Sequence, residues 1–503
     1  MLDTVARPGQ TETTTDVLVV GTGFAGLAMA IRLQEAGFFD VLLLEKGMDV
    51  GGTWRDNTYP GCACDIPSHL YSLSFAQAGE WSRLYPRQPE LLAYLRRVAD
   101  TYGLRPRIRF NTTMQGAVWD AAAGVWHVET DRGRFRARVL ISGAGALHIP
   151  AAPALPGLET FRGKTFHSAQ WDPGFDPAGQ RIAVIGTGAS AIQIVPELAK
   201  TAAELHVYQR TPAWIMPKPD RAFSSLERAL LRLPPYRAAF RKYLFMTHEL
   251  RVLAFMGNKR AQNVAARMAR AHLAAQVSDP ALREKLSPTY EMGCKRVMIS
   301  NDFYPALTQP HVRLVTDPIT TISASEITDA QGVARAVDAI VFATGFEVTS
   351  AYRHMNIAGT NGRLLATLWD ETGLQAFNGL AVSGFPNYFL LLGPHTGLGH
   401  NSVVIMIEAQ VGYIVDLLTQ MRSAGVQVAD VQPAAQTRFV DMVAQRLGGT
   451  VWQDGGCDSW YKDRHGRVSA IWPGSAAGYQ KALRRADLRD YAFATTEVAR
   501  QTA

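Results

Sequence analysis

Two stretches of the chain share one pattern: an unbroken apolar run, a glycine-rich turn, an amphipathic segment and a second apolar run. In the first, Val17-Leu18-Val19-Val20 leads into Gly21-Thr22-Gly23-Phe24-Ala25-Gly26, then Leu27 to Ala36 at helical spacing, then Val41-Leu42-Leu43-Leu44. In the second, Ile182-Ala183-Val184-Ile185 leads into Gly186-Thr187-Gly188-Ala189-Ser190-Ala191, and Leu205-His206-Val207-Tyr208-Gln209 closes the unit. Short apolar runs without alternation read as strands covered on both faces, and the switch to a helical period between them predicts a strand–helix–strand unit in each place.

The same patterning organises the rest. Gln88 to Tyr102 carries Leu91, Leu92, Leu95 and Val98 at helical spacing. Thr113–Asp120 and Val125–Glu129 flank Ala121-Ala122-Ala123-Gly124 and predict a hairpin, and Val139–Gly145 and Val337–Ala343 read as buried strands. A proline-rich connector, Pro150 to Pro156, marks a boundary. Ser224 to Gln276 predicts two or three helices broken at Pro234-Pro235 and Gly257, an insertion expected to cover a ligand site. Ser402 to Gln420 predicts a helix after the loop Gly393–His400.

Composition narrows the class. At 503 residues with 47% hydrophobic and 19% charged positions, the chain can bury several cores, and disorder is excluded as its general state. The first fifteen residues are polar and threonine-rich and predict a frayed tail, not a signal peptide. The apolar run Val403–Ile407 stops at Glu408, so no membrane span is expected. Four cysteines, Cys62, Cys64, Cys294 and Cys457, suggest a reducing cytoplasm without a disulfide framework. The net charge of +7 is uneven: residues 221–285 hold thirteen Arg and Lys against four Asp and Glu. Such a segment suits a solvated helical face, a membrane surface or a polyanion, while no aromatic-interleaved basic strand or zinc spacing points to nucleic acid.

The glycine-rich turns carry the chemistry. A helix N-terminus offers unpaired amides and a positive dipole end to a pyrophosphate, and glycine lets the backbone come close. Nineteen residues after Gly26 stands Glu45, an acceptor for ribose hydroxyls; nineteen after Ala191 stands Arg210, which with Thr211 suits a 2′-phosphate. Gly21, Gly23 and Gly26 therefore predict a site for one dinucleotide, and Gly186, Thr187, Gly188, Ala189, Ser190, Ala191 and Gln193 a site for another, a flavin and a phosphorylated nicotinamide. The fold expected is α/β: two Rossmann-like domains, for FAD and NADP, with a helical insertion in the second. The division predicted is 1–148 and 347–503 for the FAD domain, 149–220 and 291–346 for the NADP domain, and 221–290 for the insertion.

Phe161-Arg162-Gly163-Lys164-Thr165-Phe166-His167-Ser168-Ala169-Gln170-Trp171-Asp172 resembles the FxGxxxHxxxW[PD] fingerprint of the type I Baeyer–Villiger monooxygenases, class B flavoproteins, at every fixed position. Gly51 through Asp65 is similar to that family's second signature, and Ala343-Thr344-Gly345-Phe346 to an element shared with related flavin monooxygenases. The resemblance spans Val17 to Gly474. It implies that FAD, NADPH and dioxygen convert a ketone into an ester or lactone through a C4a-peroxyflavin, with sulfide oxidation as a side activity. An amine- or sulfur-hydroxylating flavin monooxygenase is the alternative, and a non-catalytic NADPH sensor or membrane-docking module a more distant one.

Such chemistry needs a fixed cation for an anionic oxidant and then for the oxyanion of a tetrahedral adduct, and arginine is the side chain that keeps its proton. The resemblance assigns that role to Arg296, with Asp65 orienting it beside the flavin, and Lys295 to the NADPH 2′-phosphate. Trp460 matches a tryptophan that closes over the nicotinamide. Thr53, Trp54, Arg55, Asp56 and Tyr71 would line the flavin, Met114 would offer backbone to adenine, and Val403 would start a helix near the ring. His167 matches a connector histidine that couples domain movement to cofactor handling. His395 stands where asparagine is frequent in the family, and is expected to change pocket polarity. Cys62 and Cys64, with only Ala63 between them, are expected to be reduced rather than a redox pair.

Overall fold

The computed structural model describes residues 12–494. Strand β1 (Glu12–Val20) runs through the first glycine-rich turn into α1 (Phe24–Glu35), and β2 (Val41–Leu44) returns parallel to β1 with Val17 opposite Val41. Val17, Leu18 and Val19 are fully buried, which is why that run carries no polar residue. The strand starts earlier than expected: Glu12 pairs with Arg134, so positions 12–15 are sheet, not frayed tail. Three consecutive β-branched threonines favour that extended conformation. Residues 1–11 of the predicted tail lie outside the described residues.

After β2 come α2 (Thr53–Asp56), α3 (Gln88–Thr101), β3 (Ile108–Arg109), the hairpin β4 (Met114–Asp120) and β5 (Val125–Thr130), and β6 (Gly133–Ser142). The first sheet has eight strands in the order Asn356–Ala358, β4, β5, β6, β1, β2, β3, with Tyr388–Leu390 also paired to β6. Two of its strands come from beyond residue 350, so the chain returns to this sheet after completing the second.

The second sheet is built from β7 (Lys164–His167), β8 (Arg181–Ile185), which leads into α4 (Ala191–Leu198), and β9 (Glu204–Tyr208). Past the short β10 (Ile215–Met216), the insertion folds as α5 (Ser225–Arg232), α6 (Pro234–Glu249), α7 (Val252–Phe255) and α8 (Lys259–Gln276). Four helices stand where two or three were expected. Pro234 opens α6 at its first turn, where a missing N–H costs nothing. Gly257, at φ +84, breaks the chain before α8, and Asn258 caps it through Ala261 N. Then follow β11 (Met298–Ile299) and β12 (Val312–Val315). The five strands run β12, β9, β8, Ala339–Phe342, β7, all parallel.

The helix Val403–Ser423 runs through Glu408, where the apolar run was expected to stop. With 21 residues and a mean hydropathy of 1.4 over its best window it is long and apolar enough to cross a membrane by composition, because Glu408 is its sole acid before Asp416. It packs against α1 instead, with Ile405, Val411, Ile414 and Leu418 buried, and so serves as a core helix.

Candidate active site

The two glycine-rich turns join β1 to α1 and β8 to α4. A Cβ on Gly26 would lie 1.8 Å from Gly21 O, so the third glycine of the first turn is required by helix–strand contact. A Cβ on Gly188 would meet no protein atom within 4 Å, so open space lies before that glycine. Gly23 and Ser190, at the N-termini of α1 and α4, make no side-chain cap, whereas Ser224, Asn258 and Ser402 each cap their own helices. Two uncapped amide clusters at glycine-rich turns, the second beside open space, fit the pyrophosphates of two dinucleotides.

Around the first turn, Glu45 Oε2 accepts from Thr22 N (3.1 Å) and Thr22 Oγ1 (2.6 Å), and Oε1 accepts from Gly47 N (2.8 Å) and Arg55 Nη1 (2.6 Å). The acid at the end of β2 is thus held by four donors, one of them from α2. Arg55 Nε also donates to Asp56 Oδ1 at 2.8 Å, which orders Thr53–Asp56 as a unit. Gly23 and Gly52 oppose one another closely enough that a Cβ on Gly52 would lie 3.1 Å from Gly23 Cα. Trp54 and Tyr71 meet edge-on at 5.7 Å beside Phe24. Burial pushes the Tyr71 phenol upward. Val403 opens its helix behind Ser402, whose hydroxyl accepts from Val404 N. The Met114 side chain packs with the core on the other face of the sheet, while its backbone follows Asn111 and Thr112, whose amides donate to Gly47 O (3.0 Å) and Glu45 O (2.9 Å).

Around the second turn, Thr187 Oγ1 donates to Thr211 O at 3.2 Å. Gln193 joins the two units: its amide donates to Ala189 O (3.0 Å) and its Oε1 accepts from Ala63 N (2.7 Å). Arg210 is exposed at the end of β9, and Lys295 lies near enough for its like charge to matter. Burial first, and Arg210 second, lower the Lys295 pKa from its ordinary value. Two cations from segments far apart in sequence therefore share one corner. His167, at the end of β7, sets its ring edge-on to Phe346 at 5.6 Å, joining the long fingerprint to the Ala343–Phe346 element. Burial lowers its pKa, which suits a packed neutral ring.

Between the turns, Arg296 meets Asp65 across 231 residues of sequence. Arg296 follows the turn at Gly293 (φ +99), where a Cβ would press on Phe255 at 2.9 Å, and the chain then enters β11, paired in parallel with β10. Its Nε and Nη2 both donate to Asp65 Oδ2, at 3.0 and 2.5 Å, and Nη1 makes no hydrogen bond among the described residues. The side chains are 26% and 31% exposed, so the pair is held yet reachable. The Asp65 charge raises the Arg296 pKa further, against the opposing effect of burial. The guanidinium is a permanent cation with one edge anchored and the other free.

Three neighbours escaped sequence reasoning. Lys218, part-buried in Pro217-Lys218-Pro219, has its pKa lowered by burial while Asp220, Cys64 and Asp65 pull it back up. A lysine between two prolines was the available signal. Tyr461 is buried with its phenol pushed up to about 12 by burial, Arg296 acting in the opposite direction. Its ring lies 4.3 Å from that of Trp460, which is 42% exposed and thus no core aromatic. The third is a covalent link: Cys294 and Cys457 form a disulfide, contrary to the expectation of none. The two cysteines lie 163 residues apart and carry no spacing signal, so only the fold brings them together. The bond ties the segment before Lys295 and Arg296 to the one carrying Trp460. Cys62 and Cys64 are free, as expected; both are buried, which pushes the Cys62 thiol up to about 12. His395 sits at φ +60, a left-handed conformation that asparagine and histidine adopt more readily than most non-glycine residues, and burial lowers its pKa to about 4.

Residues 18–227 match the family model described as pyridine nucleotide-disulphide oxidoreductase. A Baeyer–Villiger monooxygenase of Streptomyces coelicolor is 46% identical over 477 residues, covering 94% of this chain and 92% of that protein. The chain belongs to the Baeyer–Villiger monooxygenase family. Another such monooxygenase, from Pseudomonas aeruginosa, is 43% identical, covering 96% of this chain and 92% of its own. Among solved structures, the closed form of cyclohexanone monooxygenase superposes with a TM-score of 0.87 at 27% identity, covering 97% of this chain and all of that one. A steroid monooxygenase bound to NADP gives 0.85 at 30% identity, covering 96% and 99%. The α/β fold with two dinucleotide units is therefore the family's, and this Baeyer–Villiger monooxygenase is a flavin-dependent enzyme.

Proposed function

We propose that this monooxygenase binds FAD at the first turn and NADPH at the second, and inserts one atom of dioxygen beside a ketone carbonyl, with organic sulfides as secondary substrates. The balance is ketone, dioxygen, NADPH and a proton giving ester or lactone, NADP⁺ and water. When bound, NADPH supplies the hydride and the flavin the reductive activation of dioxygen. The protein's share is positioning and charge. Gly21, Gly23, Gly26 and Glu45 hold the FAD pyrophosphate and ribose; Thr53–Asp56, Tyr71 and the helix start at Val403 line its ring, and Met114 offers its backbone to the adenine. Gly186–Ala191 and Gln193 hold the NADPH pyrophosphate, Arg210, Thr211 and Lys295 its 2′-phosphate, and Trp460 covers its nicotinamide. Arg296, fixed by Asp65, stabilises the oxyanion that develops on the former carbonyl oxygen. The domain division follows the two sheets, with 221–290 as the insertion. We place the enzyme in the cytoplasm, where NADPH is supplied.

The observation that carries this reading is the Arg296–Asp65 pair, one member from each unit, with a free guanidinium edge between the two glycine-rich turns. Holoenzyme incubated with NADPH and a cyclic ketone, an aryl sulfide or a tertiary amine, with products read by mass spectrometry, tests it. Lactone from the ketone is expected; amine N-oxide without lactone would overturn it.

A further inference from the structure

The basic insertion has a face that the reaction leaves unused. Of fifteen large hydrophobic side chains that the described residues expose, nine lie between Leu226 and Met268. Along α6 and its C-cap Leu250, the exposed apolar positions Tyr236, Tyr243, Met246 and Leu250 fall within an arc of about 80° at 100° per residue. Leu253 continues the line onto α7, because Leu250 and Arg251 keep helical dihedrals between the two helices. The stripe is not a packing face turned outward by chance. The opposite side of α6 buries Leu244 and His248, and Arg241 from that side donates to the carbonyls of His69 and Ser72. On α8, Val264 and Met268 stand one turn apart and exposed in the same way.

Charge says what this face fits. Residues 221–285 carry a net excess of nine positive charges, thirteen against four. Arg221 and Lys259 are paired, to Glu227 and Glu291. Arg228, Arg232, Lys242, Arg260 and Arg267 are exposed and make no ion pair with the described residues. A second copy of the chain would set two such cationic faces against each other. An anionic bilayer surface offers negative headgroups for the unpaired cations and an acyl boundary for tyrosine, leucine and methionine.

We propose that the outer face of α5–α8 is a peripheral docking surface for an anionic lipid bilayer. The helices lie on the headgroup layer and none of them crosses it. Each unpaired cation near the surface strengthens partition about fivefold, and the aromatic and aliphatic stripe supplies the part that salt does not screen.

The test is co-sedimentation of the holoenzyme with vesicles of phosphatidylcholine alone and of phosphatidylcholine with one quarter phosphatidylglycerol. The enzyme is expected to pellet with the anionic vesicles, weakly with the neutral ones, and less as salt rises. Arg228→Ala/Arg232→Ala/Lys242→Ala should lower the partition coefficient on the order of a hundredfold. Tyr243→Ser/Leu250→Ser should leave only binding that high salt abolishes. Both sets lie on the exposed face, so unchanged melting and NADPH oxidation will show that they fold. No pelleting with anionic vesicles, variants that pellet like the parent, or a dimer in light scattering that the same variants dissolve would each overturn the proposal.

Discussion

Replacing Arg296 by alanine isolates the step assigned to it. The guanidinium spends two donors on Asp65 Oδ2 and keeps its Nη1 edge for an anion, so the substitution removes a preorganised charged donor without emptying a core. Losing such a donor costs on the order of 3 kcal/mol of transition-state stabilisation, or about two orders of magnitude in rate. The loss of Arg296 leaves Asp65 without its partner but 31% exposed, so water takes over its solvation and stability changes little. Arg296→Ala should therefore retain FAD, accept hydride from NADPH at close to the parental rate, and lose ester formation by at least about a hundredfold, NADPH then being spent on hydrogen peroxide. Rapid-mixing measurement of flavin reduction, with product quantified from the same sample, separates the two half-reactions. Ester formation within about fivefold of the parent would refute the role, and so would loss of flavin reduction in step with ester.

Other expectations follow from the same geometry. Arg210→Ala and Lys295→Ala should each raise KM for NADPH about ten- to a hundredfold while leaving that for NADH unchanged, since each removes a charge-assisted contact to the 2′-phosphate alone; steady-state kinetics with both cofactors decides. Reducing the Cys294–Cys457 bond, or Cys457→Ser, should lower stability by about 2–4 kcal/mol and raise KM for NADPH as the Trp460 segment loosens; melting curves with and without reductant check the first part. Glu249 anchors the insertion to the loop before the Val403 helix: it accepts from Asn401 and from Ala477 N, both at 2.8 Å, and lies 3.5 Å from His400 Nε2. Burial pushes its pKa up, but these partners more than compensate and leave it below its ordinary 4.5. Its contribution is thus full above pH 4.5 and is lost as pH falls through the lower folded value, so parent and Glu249→Gln melting temperatures should converge on acidification. A gap that persists unchanged at low pH would count against this.

What could be read from the chain was what a short stretch of chain determines. Both glycine-rich turns are written within ten residues of their strands, and the hairpin of β4 and β5 declares itself through its turn; all stand where expected. Glu45 and Arg210 sit at the strand ends that the nineteen-residue offset implied. Contacts closed by the fold were another matter. Asp65 and Arg296 could be joined only through the resemblance of their surroundings to a family, and Gln193 was singled out without its bridge to Ala63 being visible. The disulfide was misjudged because counting cysteines says nothing about which ones the fold brings within reach. The Val403–Ser423 helix stands where expected but runs on past Glu408, which lies on its half-covered side and so ends the apolar run without ending the buried face. His395 shows the reverse case: its unusual identity reflects a left-handed backbone position that asparagine also tolerates.

The measurement that bears most directly on the central claim is the fate of labelled dioxygen in single turnovers with a cyclic ketone. Oxygen insertion held by Arg296 and Asp65 predicts one labelled atom per lactone, located in the ring oxygen, with one NADPH consumed for each product. Label confined to hydrogen peroxide or water, with the ketone unchanged while NADPH is oxidised, would contradict it.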